Sequence, residues 1–156
     1  MNTLVVISMI AITAYVVVMV IKEKEIPESI SSTVFRLEKR WVWVFTAVMW
    51  IVGFLLMPAL MEKVSESTQF IAFFMVAGIL FVGASPLVAK EKNTIHYVCA
   101  AVSGISSQVL VALNQPLFLL MWFLYIGYTL LAKDGSRNFF WVEVSCMLIV
   151  FVYCLT

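Results

Sequence analysis

The sequence predicts an all-α fold, a polytopic bundle of six transmembrane helices that forms a single domain over residues 1–156. Three observations support this prediction. Hydrophobic residues make up 63% of the chain and charged residues 12%, against roughly 45–50% and 25% in soluble domains. The charged side chains fall into short clusters, and the apolar runs between them approach the roughly 20 residues needed to cross a bilayer. Aromatic residues lie at several boundaries of these runs, as they do at membrane interfaces.

Six helices are delimited by the points where charge disappears, at about residues 2–21, 41–61, 70–89, 95–113, 117–132 and 139–155. The first helix starts without a basic region or a cleavage site, so it is expected to be retained rather than removed as a signal peptide. Trp41 and Trp43 open the second helix at the expected depth of an interface. Pro58 and Pro86 predict kinks in the second and third helices.

The fourth helix is the most polar of the six and also the richest in small residues. Ala100 and Gly104, and likewise Ser103 and Ser107, have the spacing that lets helix backbones approach closely in membranes. Asn114-Gln115-Pro116 predicts a tight turn before the fifth helix. The sixth helix completes the bundle.

The segment 22–40 is the longest loop. Ile30, Val34 and Leu37 recur with helical spacing, which predicts a short amphipathic helix at the membrane interface. Two interpretations of the polar residues around it stay open, because they could cap this helix or bind a lipid headgroup. The candidate headgroup residues are Ser29, Ser31, Ser32, Arg36, Lys39 and Arg40.

The positive charges are distributed unevenly about the six predicted helices. Nine of the ten Lys and Arg residues lie in the loops after the first, third and fifth helices, and only Lys63 lies on the other side. Short cytoplasmic loops carry the excess of basic residues. We therefore expect both termini on the non-cytoplasmic side of a plasma membrane or a bacterial inner membrane.

Glu143 is the one carboxylate placed within an apolar run. An acid in a transmembrane helix is costly and is a functional candidate by default. It shares a helix face with Cys146, Val150 and Cys154. Two interpretations stay open, an interfacial or ion-paired acid near Arg137 and an acid that faces the bundle interior as a proton or cation site.

Polar residues of the fourth helix suggest what such an acid could face. If they line the bundle interior, they form a small pocket toward the cytoplasmic side, whereas the alternative is that they only pack and bond locally. The pocket candidates are Glu143, His96, Ser103, Ser107 and Gln108. No group of His, Cys, Asp or Glu has the spacing of metal ligands, so no metal and no cofactor are expected.

Pro27-x-Ser29-Ile30-Ser31, placed between a first helix and an aromatic second helix, resembles a signature of several six-helix membrane families. These include DRAM-type proteins, GPI-lipid-remodelling proteins and their uncharacterised bacterial relatives. The resemblance implies a six-helix fold and a lipid-related activity.

Three functions follow from these residues as hypotheses. The first is a non-enzymatic protein that binds or transports a small molecule or ion, or acts as an accessory protein. The second is a lipid-acting membrane enzyme, with Glu143 or His96 as general base. The third is a structural subunit of a membrane complex.

The expected partners are membrane lipids, a small molecule or cation, and a second copy of the chain or another membrane protein. The near-neutral net charge without a basic stripe predicts no nucleic-acid partner, and the three cysteines are interpreted as reduced packing residues.

Overall fold

The computed structural model describes residues 2–88, 94–132 and 138–156. Within these ranges the chain forms helices and turns and no β-strand, which confirms the all-α prediction. The α-helices are α1 (Asn2–Glu23), α2 (Val42–Lys63), α3 (Gln69–Val88), α4 (Thr94–Asn114), α5 (Trp122–Ala132) and α6 (Asn138–Leu155). Five of the described helices are long and apolar enough to cross a membrane, which indicates a membrane protein.

The fifth predicted helix differs from the others. A 3₁₀ helix over Pro116–Met121 precedes α5, which has only 11 residues. Pro116 has no N–H to donate and occupies the first position of this tighter turn. The apolar segment Pro116–Leu131 is therefore shorter than the five long helices. Lys90, Lys92, Lys133 and Arg137, which entered the predicted charge asymmetry, lie outside the described residues.

The loop between α1 and α2 forms two short 3₁₀ helices, Ser31–Arg36 and Lys39–Trp41, instead of one amphipathic helix. Leu37, with φ −78° and ψ 140°, is extended and interrupts the helical path. The apolar spacing still has a structural role, because Ile30 and Val34 are each only 2% exposed and belong to the core. The loop is thus folded back onto the bundle.

Neighbouring helices α1, α2, α3 and α4 pack in sequence, and α6 closes the bundle against α1, α2 and α4. Side-chain to backbone bonds tie them together: Ser8 Oγ donates to the Val52 carbonyl (3.1 Å) and Thr46 Oγ1 to the Gly83 carbonyl (2.7 Å). Helix α4 meets α3 where a Cβ on Gly78 would lie 2.8 Å from Ser103 Cβ. Only a glycine fits this approach without a shift.

The two ends of the bundle are distinguished by long-range contacts. At one end, here called the loop end, segment 24–41 contacts the first turns of α6 through Ser31 and Glu143. At the other end the Lys63 ammonium, in the last turn of α2, lies 5.4 Å from the ring of Tyr153 near the end of α6. Because α1 runs toward the loop end and α6 runs away from it, α1 begins and α6 ends at the same end of the bundle.

Candidate functional site

A cavity of about 810 Å³ lies between α2, α3, α4, α6 and the loop. This volume is within the range of roughly 300–1,000 Å³ that is typical of small-molecule sites. Most of its wall is apolar and comes from α4 and α6, with smaller parts from α2 and α3 and methionines at Met49, Met75 and Met147. Methionine side chains adapt to irregular ligands because they are unbranched and flexible. The bundle thus encloses a largely apolar space, here called the bundle cavity.

Glu143 lies at the loop end of the bundle cavity and is bound by Ser31. Ser31 Oγ donates to Glu143 Oε1 at 2.6 Å, and the Ser31 backbone N–H donates to Glu143 Oε2 at 3.0 Å. Since both oxygens accept, neither needs to carry a proton, which suits the ionised carboxylate. These two residues are 112 positions apart in the chain, and their bonds attach the loop to α6.

Ser29, Ser31 and Ser32 form a compact turn, here called the serine turn, that also lines the bundle cavity. Ser29 Oγ accepts from the Ser32 backbone N–H at 3.0 Å, and Ser32 Oγ donates to the Ser29 carbonyl at 3.1 Å. The hydroxyls of Ser29 and Ser31 are 3.4 Å apart. The hydroxyls therefore stabilise their own turn and at the same time present oxygen atoms to the cavity.

The end of the bundle cavity opposite the loop end, here called the deep end, carries polar residues, but their polar atoms hydrogen-bond to one another. Trp122 Nε1 donates to Gln108 Oε1 at 2.8 Å, and Gln108 Nε2 donates to Ser107 Oγ at 2.9 Å. Ser107 Oγ in turn donates to the Gly104 carbonyl at 2.6 Å. Polar atoms that already hydrogen-bond to one another offer a ligand few free donors or acceptors. Tyr97 and Gln108, both on the cavity wall, are separated along α4 by about 16 Å.

His96 lies outside the lining of the bundle cavity, although the sequence suggested it as a pocket residue. Its side chain is only 1% exposed, and Nδ1 is 2.9 Å from Ser85 Oγ. Nε2 is buried and makes no hydrogen bond to any described residue. The ring packs edge-on against Phe35 of the loop, with centroids 5.1 Å apart. His96 thus packs against the loop and is not part of the cavity wall.

Two basic residues of the loop, Arg36 and Arg40, pair with acids, and none of the loop's basic residues lines the bundle cavity. Arg36 Nη1 lies 2.6 Å from Glu23 Oε2 and also reaches Glu25, while Arg40 bonds Glu38 at 2.8 Å. The hydrogen bond that the Arg36 guanidinium donates to Glu23 raises the pKa of the guanidinium above its ordinary value. Lys39 is exposed.

The bundle cavity is open on one side of α4. Tyr97, Ala101 and Ile105 recur every four residues, line the cavity and are exposed, with Ile105 at 66%. Phe139, at the start of α6, also lines the cavity and is 76% exposed. Residues that are both lining and exposed mark an opening between α4 and α6. In a bilayer this opening faces lipid.

The structure brings four of the five pocket candidates to one cavity, namely Glu143, Ser103, Ser107 and Gln108. Of the α6 residues predicted to share a helix face with Glu143, Cys146 and Val150 also line the cavity, whereas Cys154 does not. Sequence reasoning missed Trp122 and the methionines, because an apolar residue in an apolar helix gives no signal of what it faces. It also missed the pairing of Ser31 with Glu143.

Comparison with known proteins assigns no family to the chain. No protein-family model, curated protein or solved structure matches it. The resemblance to the DRAM-type families therefore stays a prediction, and function is argued from the geometry of the cavity.

Proposed function

We propose that this chain is an integral membrane protein that binds a single-chain amphiphile within its helix bundle and carries out no covalent chemistry on it. The observation that carries this proposal is the bundle cavity, whose walls are largely apolar and whose charged lining residues, Glu28 and Glu143, lie at the loop end. The headgroup would lie beside Glu143 and the serine turn. The hydrocarbon chain would extend along α4 and α6 toward Trp122.

The shape of the bundle cavity supports a chain rather than a compact polar solute. A polar solute would need donors and acceptors along its whole surface, but the walls between the two ends are apolar and the deep polar groups already bond one another. A hydrocarbon chain needs no hydrogen-bond partners, so it can fill the apolar part of the cavity without leaving a polar group unpaired. The opening beside Ile105 lets such a molecule enter from the lipid without crossing the interface.

Membrane placement forms part of the proposal. We infer six membrane crossings, made by the five long helices and by the shorter segment Pro116–Leu131. Both termini then lie on the non-cytoplasmic side. The positive charges support this arrangement, since Arg36, Lys39 and Arg40 lie at the loop end and Lys63 at the opposite end. The host membrane would then be a plasma membrane or a bacterial inner membrane.

The contacts of His96 and of the small residues favour binding over the two alternatives. A lipid-acting enzyme needs a free base beside the substrate, but His96 is buried behind the loop, outside the cavity lining, and Glu143 accepts hydrogen bonds from Ser31 through both of its oxygens. A structural subunit would turn its small residues outward, whereas Cys99 and Ser103 pack against Gly78 inside the bundle. Binding without chemistry therefore fits both groups of contacts.

A photoreactive octadecanol with a diazirine on its chain tests the proposal. The protein is placed in phosphatidylcholine nanodiscs, and labelled peptides are mapped by mass spectrometry. We expect saturable labelling of α6 around Met147, a cavity residue. Labelling of Leu124, which is exposed on α5, should follow the bulk lipid and should not saturate.

Two glycine variants make the test specific. A Cβ on Gly104 or on Gly127 would meet nothing within 4 Å, but only Gly104 lines the bundle cavity. Gly104→Phe places a ring in the space that the chain would occupy and should sharply lower the saturable labelling, while Gly127→Phe leaves it unchanged. Equal labelling of both variants, or labelling of Met147 that never saturates, would show that the cavity does not bind a chain.

A further inference from the structure

We infer that the amphiphile bound in the bundle cavity carries a positively charged headgroup, as in a long-chain amine. This inference rests on the proposed function and adds the charge of the ligand. Its basis is the charge of the wall. Among the described residues that line the cavity, the charged side chains are Glu28 and Glu143, and no Lys or Arg joins them.

Glu143 has acceptor capacity that the protein leaves unused. An ionised carboxylate offers about four lone-pair sites; Ser31 donates to both oxygens, and the backbone of Ile30 is a further hydrogen-bond partner. No Lys or Arg in the described parts of the chain forms an ion pair with Glu143. Because Glu143 lines the cavity, a donor on a bound ligand can use the acceptor capacity that remains.

The depth of Glu143 determines which donor stabilises it best. A carboxylate surrounded by apolar groups is costly unless a cation offsets its charge. The apolar neighbours Val142, Cys146 and Met147 line the same part of the wall. An ammonium group supplies both the opposite charge and three N–H donors, whereas a hydroxyl supplies a single neutral donor.

Other groups at the loop end favour a cation and disfavour an anion. Tyr97 lines the cavity near the start of α4, and an aromatic face attracts a cation. The guanidinium groups that a phosphate or carboxylate headgroup would need are engaged with acids, Arg36 with Glu23 and, at 3.8 Å, with Glu28, and Arg40 with Glu38. The charge of Glu28 is thus offset by Arg36, whereas an anionic headgroup would meet a Glu143 carboxylate that has no ion pair with a described Lys or Arg.

Competition among three ligands of equal chain length tests the inference. Octadecylamine, octadecanol and stearic acid each compete at pH 7 with the photoreactive octadecanol in phosphatidylcholine nanodiscs, and concentrations are expressed as mole fractions in the bilayer. Because a charge-assisted hydrogen bond is about twice as strong as a neutral one, octadecylamine should compete at a mole fraction about tenfold lower than octadecanol. Stearic acid should be the weakest of the three.

Two variants test whether the preference for octadecylamine depends on the Glu143 carboxylate. Glu143→Gln keeps the shape and one acceptor but removes the charge, so it should weaken octadecylamine about tenfold and leave octadecanol unchanged. Thr33→Val removes the hydrogen bond between the loop and Tyr15 of α1 (2.7 Å) but keeps the carboxylate and every lining residue, so the amine preference should persist. This second variant separates loss of charge from loosening of the loop.

The outcomes separate the inference from the function on which it rests. Saturable labelling with equal competition by all three ligands, or with stearic acid as the strongest, would overturn the cationic headgroup and leave chain binding intact. An unchanged amine preference in Glu143→Gln would overturn it as well. Failure of every ligand to compete with the labelled octadecanol would instead contradict chain binding itself.

Discussion

Ser31 and Glu143 show how two single residues join a loop to a distant helix. Ser31 donates twice to the carboxylate, from its hydroxyl at 2.6 Å and from its backbone at 3.0 Å. Hydrogen bonds to a charged group are worth roughly 1.5–3 kcal/mol each when one partner is removed. The sequence indicated each residue separately as a candidate, but no periodicity connects positions 112 residues apart. Their pairing depends on the tertiary fold.

Ser31→Ala is expected to lower the free energy of unfolding by about 1.5–3 kcal/mol, because it removes the hydroxyl bond to Glu143 and leaves only the backbone N–H. Thermal unfolding in detergent measures the loss of stability. Hydrogen exchange measured by mass spectrometry should show faster exchange in the loop peptide that covers residues 29–36.

Ser32→Ala is the matched control for this change. The Ser32 hydroxyl donates to the carbonyl of Ser29 within the same turn, so its loss should cost only about 0.5–1.5 kcal/mol and leave exchange in the loop nearly unchanged. If the two variants were equally stable, the bond from Ser31 to Glu143 would not hold the loop on α6.

At the scale of elements, the contact between α3 and α4 depends on the absence of a side chain at Gly78. A Cβ there would lie 2.8 Å from Ser103 Cβ and 2.9 Å from the Cys99 carbonyl oxygen. Backbone atoms cannot move aside as a flexible side chain can. The small residues of α4 predicted a close helix contact, and the structure identifies α3 as its partner.

Gly78→Ala should separate α3 from α4 and lower the free energy of unfolding by about 1–3 kcal/mol, as overpacking does in other cores. Unfolding in a denaturing detergent titration measures this change. Gly127→Ala provides the opposite control, because its Cβ meets nothing within 4 Å. It should stabilise α5 by up to about 1 kcal/mol through helix propensity. A Gly78→Ala variant as stable as the parent chain would contradict the close packing.

The elements themselves were predictable to different degrees. The five long helices follow from the length of uncharged apolar runs, a property of the sequence alone. The 3₁₀ helix at Pro116–Met121 and the extended Leu37 depend on backbone angles, on which hydrophobic periodicity carries no information. The contacts of α5 could not be predicted from the sequence either, because its apolar composition is uniform on all faces.

At the scale of the whole molecule, the proposed topology can be tested by cysteine accessibility. In a variant whose three native cysteines are replaced by alanine, Glu38→Cys places a thiol at the loop end and Ser67→Cys places one at the opposite end. Both positions are exposed. A membrane-impermeant maleimide should label Ser67→Cys on intact cells, and Glu38→Cys only after permeabilisation.

The reverse labelling would invert the orientation, and labelling of both positions on intact cells would exclude a bundle that spans the membrane. The charge asymmetry predicts the first result because the membrane-insertion machinery retains basic loops in the cytoplasm. The cavity could not be predicted in this way. Its walls are formed by residues from several helices that are each ordinary in sequence, such as Gly104 and Val150.

The opening marked by Tyr97, Ala101 and Ile105 has a consequence for how binding is measured. A ligand that enters between α4 and α6 comes from the surrounding leaflet and never passes through water. Its driving concentration is then two-dimensional, the number of ligand molecules per lipid, and the volume of the aqueous phase has no influence. A dissociation constant for the proposed complex would therefore be meaningful as a mole fraction, and adding empty bilayer at a constant amount of ligand would dilute the ligand as effectively as adding buffer dilutes a soluble one.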